Sequence, residues 1–125
     1  IFENVDLPDV LQVDYVSGGT TFCRADFIKK YGLFEENYFI YNDEADIAYR
    51  AKKAGLKTVV TKSAIVWHNH NWSKKNKRGY NFMYYYMMRN RVLYFIKFRL
   101  YYNLIIFLFF ELERMNSAAA RRFGT

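Results

Sequence analysis

Asn42-Asp43-Glu44-Ala45-Asp46 places three carboxylates within four positions, the densest concentration of acid-base chemistry in the chain. A carboxylate there could take a proton as a general base or hold a metal-bound phosphate. The same run also reads as structure: Asn42 or Asp43 capping a helix, early acids favouring its positive end, and Asp46 pairing with Arg50 one turn on. Both readings stand on the residues alone. His68 and His70 alternate, so in an extended segment their imidazoles share a face, and with the acids they form a possible mixed carboxylate-imidazole metal set. With one cysteine the chain has no closed structural zinc set, and Cys23, among apolar and hydroxyl residues, reads as a small buried hydrophobe. No nucleophile elbow is present. Asn71-Trp72-Ser73 matches the glycosylation pattern, read here as a chance match because Ile1 to Val10 carries acids where a signal peptide needs bases.

These side chains need elements to position them. Asp14 to Arg24 predicts a strand, a Gly18-Gly19 turn that lets backbone come close to a neighbour, and a second strand. Ala25 to Tyr31 predicts a short helix stopped by Gly32, and Asp43 to Ala54 a second helix ending at Gly55. Lys57 to Val60 and Ala64 to Trp67 are β-branched runs that read as strands. Tyr80 to Phe110 contains neither proline nor glycine and reads as helix, broken near Tyr101-Asn103. The boundary near Ser73 divides an α/β half, residues 1–73, from a basic aromatic-rich helical tail, residues 74–125.

At 125 residues the chain fits one small domain, and 12 Tyr with 12 Phe dominate its apolar content. The net charge of +7 conceals a polarity: the first 46 residues carry 10 acids and 3 bases, the remainder 2 acids and 16 bases. A basic, aromatic surface suits nucleic acid, an anionic membrane or a phosphorylated ligand. No zinc finger, RNP-type pattern or GXXG loop is present, so nucleic acid is not the expected partner. Lys97 and Arg99 interrupt the apolar course from Val92 to Phe110, which argues against a membrane-spanning helix and for an interfacial one. The alternative is a helical pair packed on the rest of the protein or on a second copy.

Three segments occur in a recognisable order: Val13-Asp14-Tyr15-Val16-Ser17-Gly18-Gly19 running to Arg24; Gly32-Leu33-Phe34-Glu35-Glu36 through Phe39-Ile40-Tyr41-Asn42-Asp43-Glu44-Ala45-Asp46 to Arg50; and Ala54-Gly55-Leu56 through Ala64 to His68. Together they resemble the second half of family 2 glycosyltransferases, especially bacterial rhamnosyltransferase-like enzymes of polysaccharide biosynthesis. The similarity covers Val13 to Trp72, with Arg89-Asn90-Arg91 resembling the family's helical tail. It implies the C-terminal half of a GT-A-type α/β nucleotide-diphospho-sugar transferase fold followed by aromatic-rich helices, in a chain that is a fragment of a larger enzyme.

The activity implied is inverting transfer of a sugar from a nucleotide-diphospho-sugar donor to a glycan or lipid-linked acceptor, with a divalent cation (Mg or Mn) as cofactor. Glu44 takes the general-base position, where the family usually carries Asp, and Asp43 is the other candidate. Ser17, Gly18, Gly19, Asp46 and Arg50 fall at substrate-binding positions, and His68 at a metal-ligand position. The reading also places the protein in the cytoplasm at the inner face of the bacterial plasma membrane; the basic aromatic stretch from Lys74 to Arg99 points to an anionic membrane surface as a partner, and an uncovered sheet side or the tail to a homo-oligomer. The competing expectation, from the basic aromatic tail, is a non-catalytic membrane- or protein-interaction module.

Overall fold

The computed structural model describes residues 8–67 and 77–123, with side chains described for 8–67 and 80–118. In chain order the elements are β1 (Val10–Val13), α1 (Ala25–Tyr31), a single 3-10 turn (Glu36–Tyr38), α2 (Asp43–Lys53), β2 (Thr58–Thr61), α3 (Lys77–Lys97) and α4 (Tyr101–Phe123). The chain packs as two units, residues 1–87 and 88–125.

In the first unit the two short helices form where local chemistry favours them. Asp26 stands in the first turn of α1 and accepts from the Phe27 N–H at 2.9 Å, while Lys29 and Lys30 occupy the last turn, each sign matching its end of the helix dipole. Gly32, at φ 74°, ends the helix. α2 repeats the pattern, with Asp43, Glu44 and Asp46 at its start and Arg50, Lys52 and Lys53 at its end. Its stop is a Schellman motif: Gly55 lies at φ 75°, its N–H bonds the Lys52 carbonyl at 3.1 Å, and the Leu56 N–H reaches the Ala51 carbonyl at 2.9 Å. Phe27 of α1, Tyr38 of the 3-10 turn, and Ile47 and Ala48 of α2 are buried. Phe39 stacks on Tyr86 of α3, ring centroids 5.3 Å apart.

β1 and β2 pair antiparallel, Val10 opposite Thr61 and Val13 opposite Thr58, in a two-stranded sheet. This corrects the expected GT-A-type α/β fold. The described residues are mostly helical, and their two four-residue strands make a small open antiparallel ladder, not part of a nucleotide-sugar-binding sheet. Two of the anticipated strand regions stay irregular for local reasons. Asp14 to Arg24 is a loop, because the backbone at Gly18 is turned towards α2 and bonded to a side chain there. Ala64 to Trp67 is β-branched but carries no ladder, and its Ile65, Val66 and Trp67 stand exposed. The strand that does pair, β1, lies upstream of the region expected to provide one.

In the second unit, α3 ends at a second Schellman motif. Arg99 takes the left-handed conformation at φ 56°, its N–H meets the Ile96 carbonyl at 3.1 Å, and the Leu100 N–H meets the Phe95 carbonyl at 2.8 Å. The break therefore falls at Phe98–Leu100, just before the position expected from sequence. Phe107 of α4 packs on Phe95 with centroids 5.8 Å apart and under the Arg91 guanidinium at 5.3 Å. Asn90 is fully buried, and its Oδ1 accepts from Arg89 at 2.8 Å.

Candidate functional site

The first unit contains a cleft of about 290 Å³ between the loop after β1 and the starts of α1 and α2. Gly18, Gly19, Thr20 and Thr21 supply backbone and hydroxyl groups, Ile28, Leu33, Phe34 and Ile47 supply apolar wall, and Asp43 and Glu44 supply the carboxylates. The Gly18 N–H donates to Glu44 Oε1 at 2.9 Å, which ties the loop to the first turn of α2. A Cβ at position 18 would overlap the Glu44 carboxylate and push that side chain aside, breaking the bond between loop and helix. Ser17 borders this region through its carbonyl, which accepts a long bond from the Thr21 hydroxyl at 3.4 Å.

Partial burial pushes the Asp43 carboxyl above its ordinary value, Glu44 and then Asp46 add to the rise, and a backbone hydrogen bond partly opposes it. The approach to α2 is strained: Phe39, Tyr41 and Asn42 all have positive φ, at 64°, 67° and 75°. Asn42 precedes the helix without a side-chain capping bond, and its Nδ2 is buried with no hydrogen-bond partner among the described residues.

Asp46 and Arg50, the other expected binding residues, are committed to the interior. Asp46 is fully buried and accepts from the Tyr38 hydroxyl at 3.1 Å and from Arg50 Nε at 2.5 Å. The remaining guanidinium nitrogens of Arg50 donate to the carbonyls of Tyr31, Gly32 and Leu33, each at 2.7 Å. This fan of bonds locks the end of α1 and the following loop onto α2. Thus Gly18, Gly19, Asp43 and Glu44 come together in the cleft, whereas Asp46 and Arg50 build the scaffold beside it. His68 lies outside the described residues.

Among the described residues no group of three or more His, Cys, Asp and Glu converges where it could hold a metal ion. Asp43 and Glu44 offer two carboxylates, and Glu44 already accepts from Gly18.

The chemistry of the cleft was partly visible in sequence, but Thr20, Thr21 and Phe34 were not among the expected site residues. The most conspicuous surface of the second unit lies on the stretch expected to form an interfacial helix. α4 half-buries one narrow side, Leu104, Phe107 and Glu111, and exposes Tyr101, Tyr102, Ile105, Leu108, Phe109, Leu112 and Met115 along an adjoining arc. Tyr102 is 75% exposed, Ile105 66% and Phe109 59%. Spacing of three and four residues puts these side chains on one side of the helix.

No family model, no curated protein and no solved structure matches the chain. The resemblance to family 2 glycosyltransferases is therefore corrected, and with it the reading of the chain as a metal-dependent enzyme transferring a sugar from a nucleotide-diphospho-sugar. The decisive finding is architectural: among the described residues the sheet is two short antiparallel strands with exposed faces, unlike a GT-A core. The mostly helical, aromatic-rich module fits interaction better than sugar transfer.

Proposed function

We propose that this protein is a non-catalytic interaction module that binds an anionic membrane surface through α4. The observation that carries this reading is the exposed apolar arc from Tyr101 to Met115, because an arc of large side chains standing in water calls for a partner of its own kind. Transfer of each Ile, Leu or Phe side chain out of water is worth about 1.5–3 kcal/mol. Two or three such groups seated at the acyl boundary would hold a small protein reversibly.

Charge favours lipid over an uncharged apolar partner. From Met88 to Thr125 the chain carries seven Arg or Lys and two Glu. Lys97 and Arg99 stand exposed at the α3–α4 corner beside Tyr101 and Tyr102, so cationic and interfacial groups adjoin the apolar arc at its start. No described helix is long and apolar enough to cross a membrane, and the geometry fits a helix lying in the interface. An anionic, cytoplasm-facing leaflet has the matching charge.

The test is flotation with vesicles of phosphatidylcholine, with and without 30% phosphatidylserine (composition chosen at about the level that gives a strong surface potential). The wild-type chain is expected to float with the anionic vesicles, and Ile105→Asp with Phe109→Asp is expected to abolish it without loss of helicity. Wild-type protein left at the bottom of both gradients, or undiminished flotation of the double variant, would overturn the proposal.

A further inference from the structure

The small sheet of the first unit has two open edges of opposite charge. β1 is flanked by Asp9 and Asp14, and β2 by Lys57 and Lys62. Among the described residues no third strand pairs with either, and Val10, Val59 and Val60 are substantially exposed. The Lys62 N–H donates to the Asp9 carbonyl at 2.9 Å, which makes Asp9 and Lys62 a hydrogen-bonded pair and sets the phase of the ladder. With that phase, Val10 and Gln12 of β1, and Val59 and Thr61 of β2, turn their backbone N–H and C=O groups outward.

From this we infer that the partner of each edge is the opposite edge of a second copy of this chain, β1 of one molecule pairing antiparallel with β2 of the next. The outward-facing groups fix the register to within steps of two residues, and the flanking charges select one of these. Val10 meets Thr61 and Gln12 meets Val59 of the neighbour, the same pairing the strands make within one molecule. That register sets Asp9 directly opposite Lys62 and Asp14 directly opposite Lys57 across the contact, where opposite charges favour pairing. Asp14 already lies 3.6 Å from Lys52, but both side chains are largely exposed, so this contact leaves the carboxylate accessible.

The two symmetrical alternatives are disfavoured by the same residues. Pairing β1 with β1 gathers Asp9 and Asp14 at each end of the ladder, and pairing β2 with β2 gathers Lys57 and Lys62. Edge charges of this kind are a recognised device against unwanted pairing, and here they leave one arrangement open. Because the two surfaces differ, the contact is head-to-tail and can continue from copy to copy. It is independent of α4 and of membrane binding.

The experiment is sedimentation of the full chain over a range of concentration and salt, without lipid. The wild type is compared with a charge-swapped chain, Asp9→Lys, Asp14→Lys, Lys57→Asp and Lys62→Asp, in which every opposition within the sheet is retained. Each chain by itself should grow in average size with concentration, because each still offers edges of opposite sign. Raising salt should reduce the size of both assemblies several-fold, because head-to-tail contacts oppose Asp to Lys, whereas like edges paired with like would be strengthened by it. Gln12→Pro provides the second measurement. It removes an outward N–H while sparing the internal ladder, and as an edge substitution it is tolerated by strands. Added to wild type it should shorten the assemblies, and this arm decides even where the swapped chain folds poorly. Wild-type protein that stays monomeric throughout, assemblies that grow with salt, or assemblies unaffected by Gln12→Pro would overturn the inference.

Discussion

Arg50 shows how a residue expected to meet a substrate can instead hold the protein together. Its guanidinium satisfies the fully buried Asp46 and three carbonyls of the loop from Tyr31 to Leu33, so removing it deprives a buried carboxylate of its cationic partner. Breaking one side of a buried pair costs about 3–5 kcal/mol. Arg50→Ala should lower stability by that order in urea unfolding, and Arg50→Lys should recover little, because an ammonium lacks the planar fork that spans these acceptors. Asp43 makes a prediction of opposite sign. Its carboxyl is raised in the folded protein, so between its unfolded and folded values the native state binds more protons, and stability falls as pH rises through that interval. Asp43→Asn should therefore be more stable than wild type at neutral pH, with the advantage shrinking on acidification as the wild-type group takes its proton. Thermal unfolding followed from pH 7 down to about pH 4, near the ordinary carboxylate range, reads this directly. The Asp46–Arg50 pairing was legible from its four-residue spacing; the Tyr38 hydroxyl and the three carbonyls were not, since they approach only when α1, the 3-10 turn and α2 have packed.

At the scale of elements, two helices end by the same geometry with different residues in the critical position. Gly55 closes α2 at positive φ, as glycine does without steric cost, and this stop was readable in the sequence. Arg99 closes α3 in the same conformation without that freedom, and with no glycine to mark the stop the sequence placed the break at Tyr101-Asn103, slightly too late. Arg99→Gly should accordingly stabilise the second unit by about 1 kcal/mol, and Gly55→Ala should destabilise the first by a similar amount. Opposite shifts of the denaturant midpoint are the check; shifts in the same direction would show that the side chains, not the backbone conformation, govern these joints. The strands were less legible than the helices. β-branched composition marks Thr58–Thr61 and Ala64–Trp67 alike, and only the first finds a partner, because strand formation depends on a distant segment supplying the ladder.

Over the whole molecule, the polarity of charge is the feature with the widest reach. The basic part of the chain includes both long helices, so attraction to an anionic surface should be electrostatic at long range and apolar at contact. Flotation with anionic vesicles should fall steeply as salt is raised towards about 0.5 M, where the screening length is only a few ångströms, yet leave a residue that salt does not remove. Lys97→Gln should weaken binding by about 1 kcal/mol, roughly five-fold, and only at low salt. Salt-independent flotation would assign the interaction to the apolar arc alone.

The amino-acid sequence by itself determined the helices, their capping glycines and terminal charges, the i,i+4 ion pair and the opposite signs of the two parts, because each depends on residues within a turn or on a sum over residues. Tertiary structure alone decided that Gly18 meets Glu44, that Arg50 faces inward, that β1 pairs with β2 and that the apolar arc of α4 stands exposed. Gly18 and Glu44 are 26 positions apart, and β1 and β2 are separated by two helices. Such contacts depend on how a long intervening chain closes, and a local pattern such as the one from Val13 to Trp72 can be shared by chains that close differently.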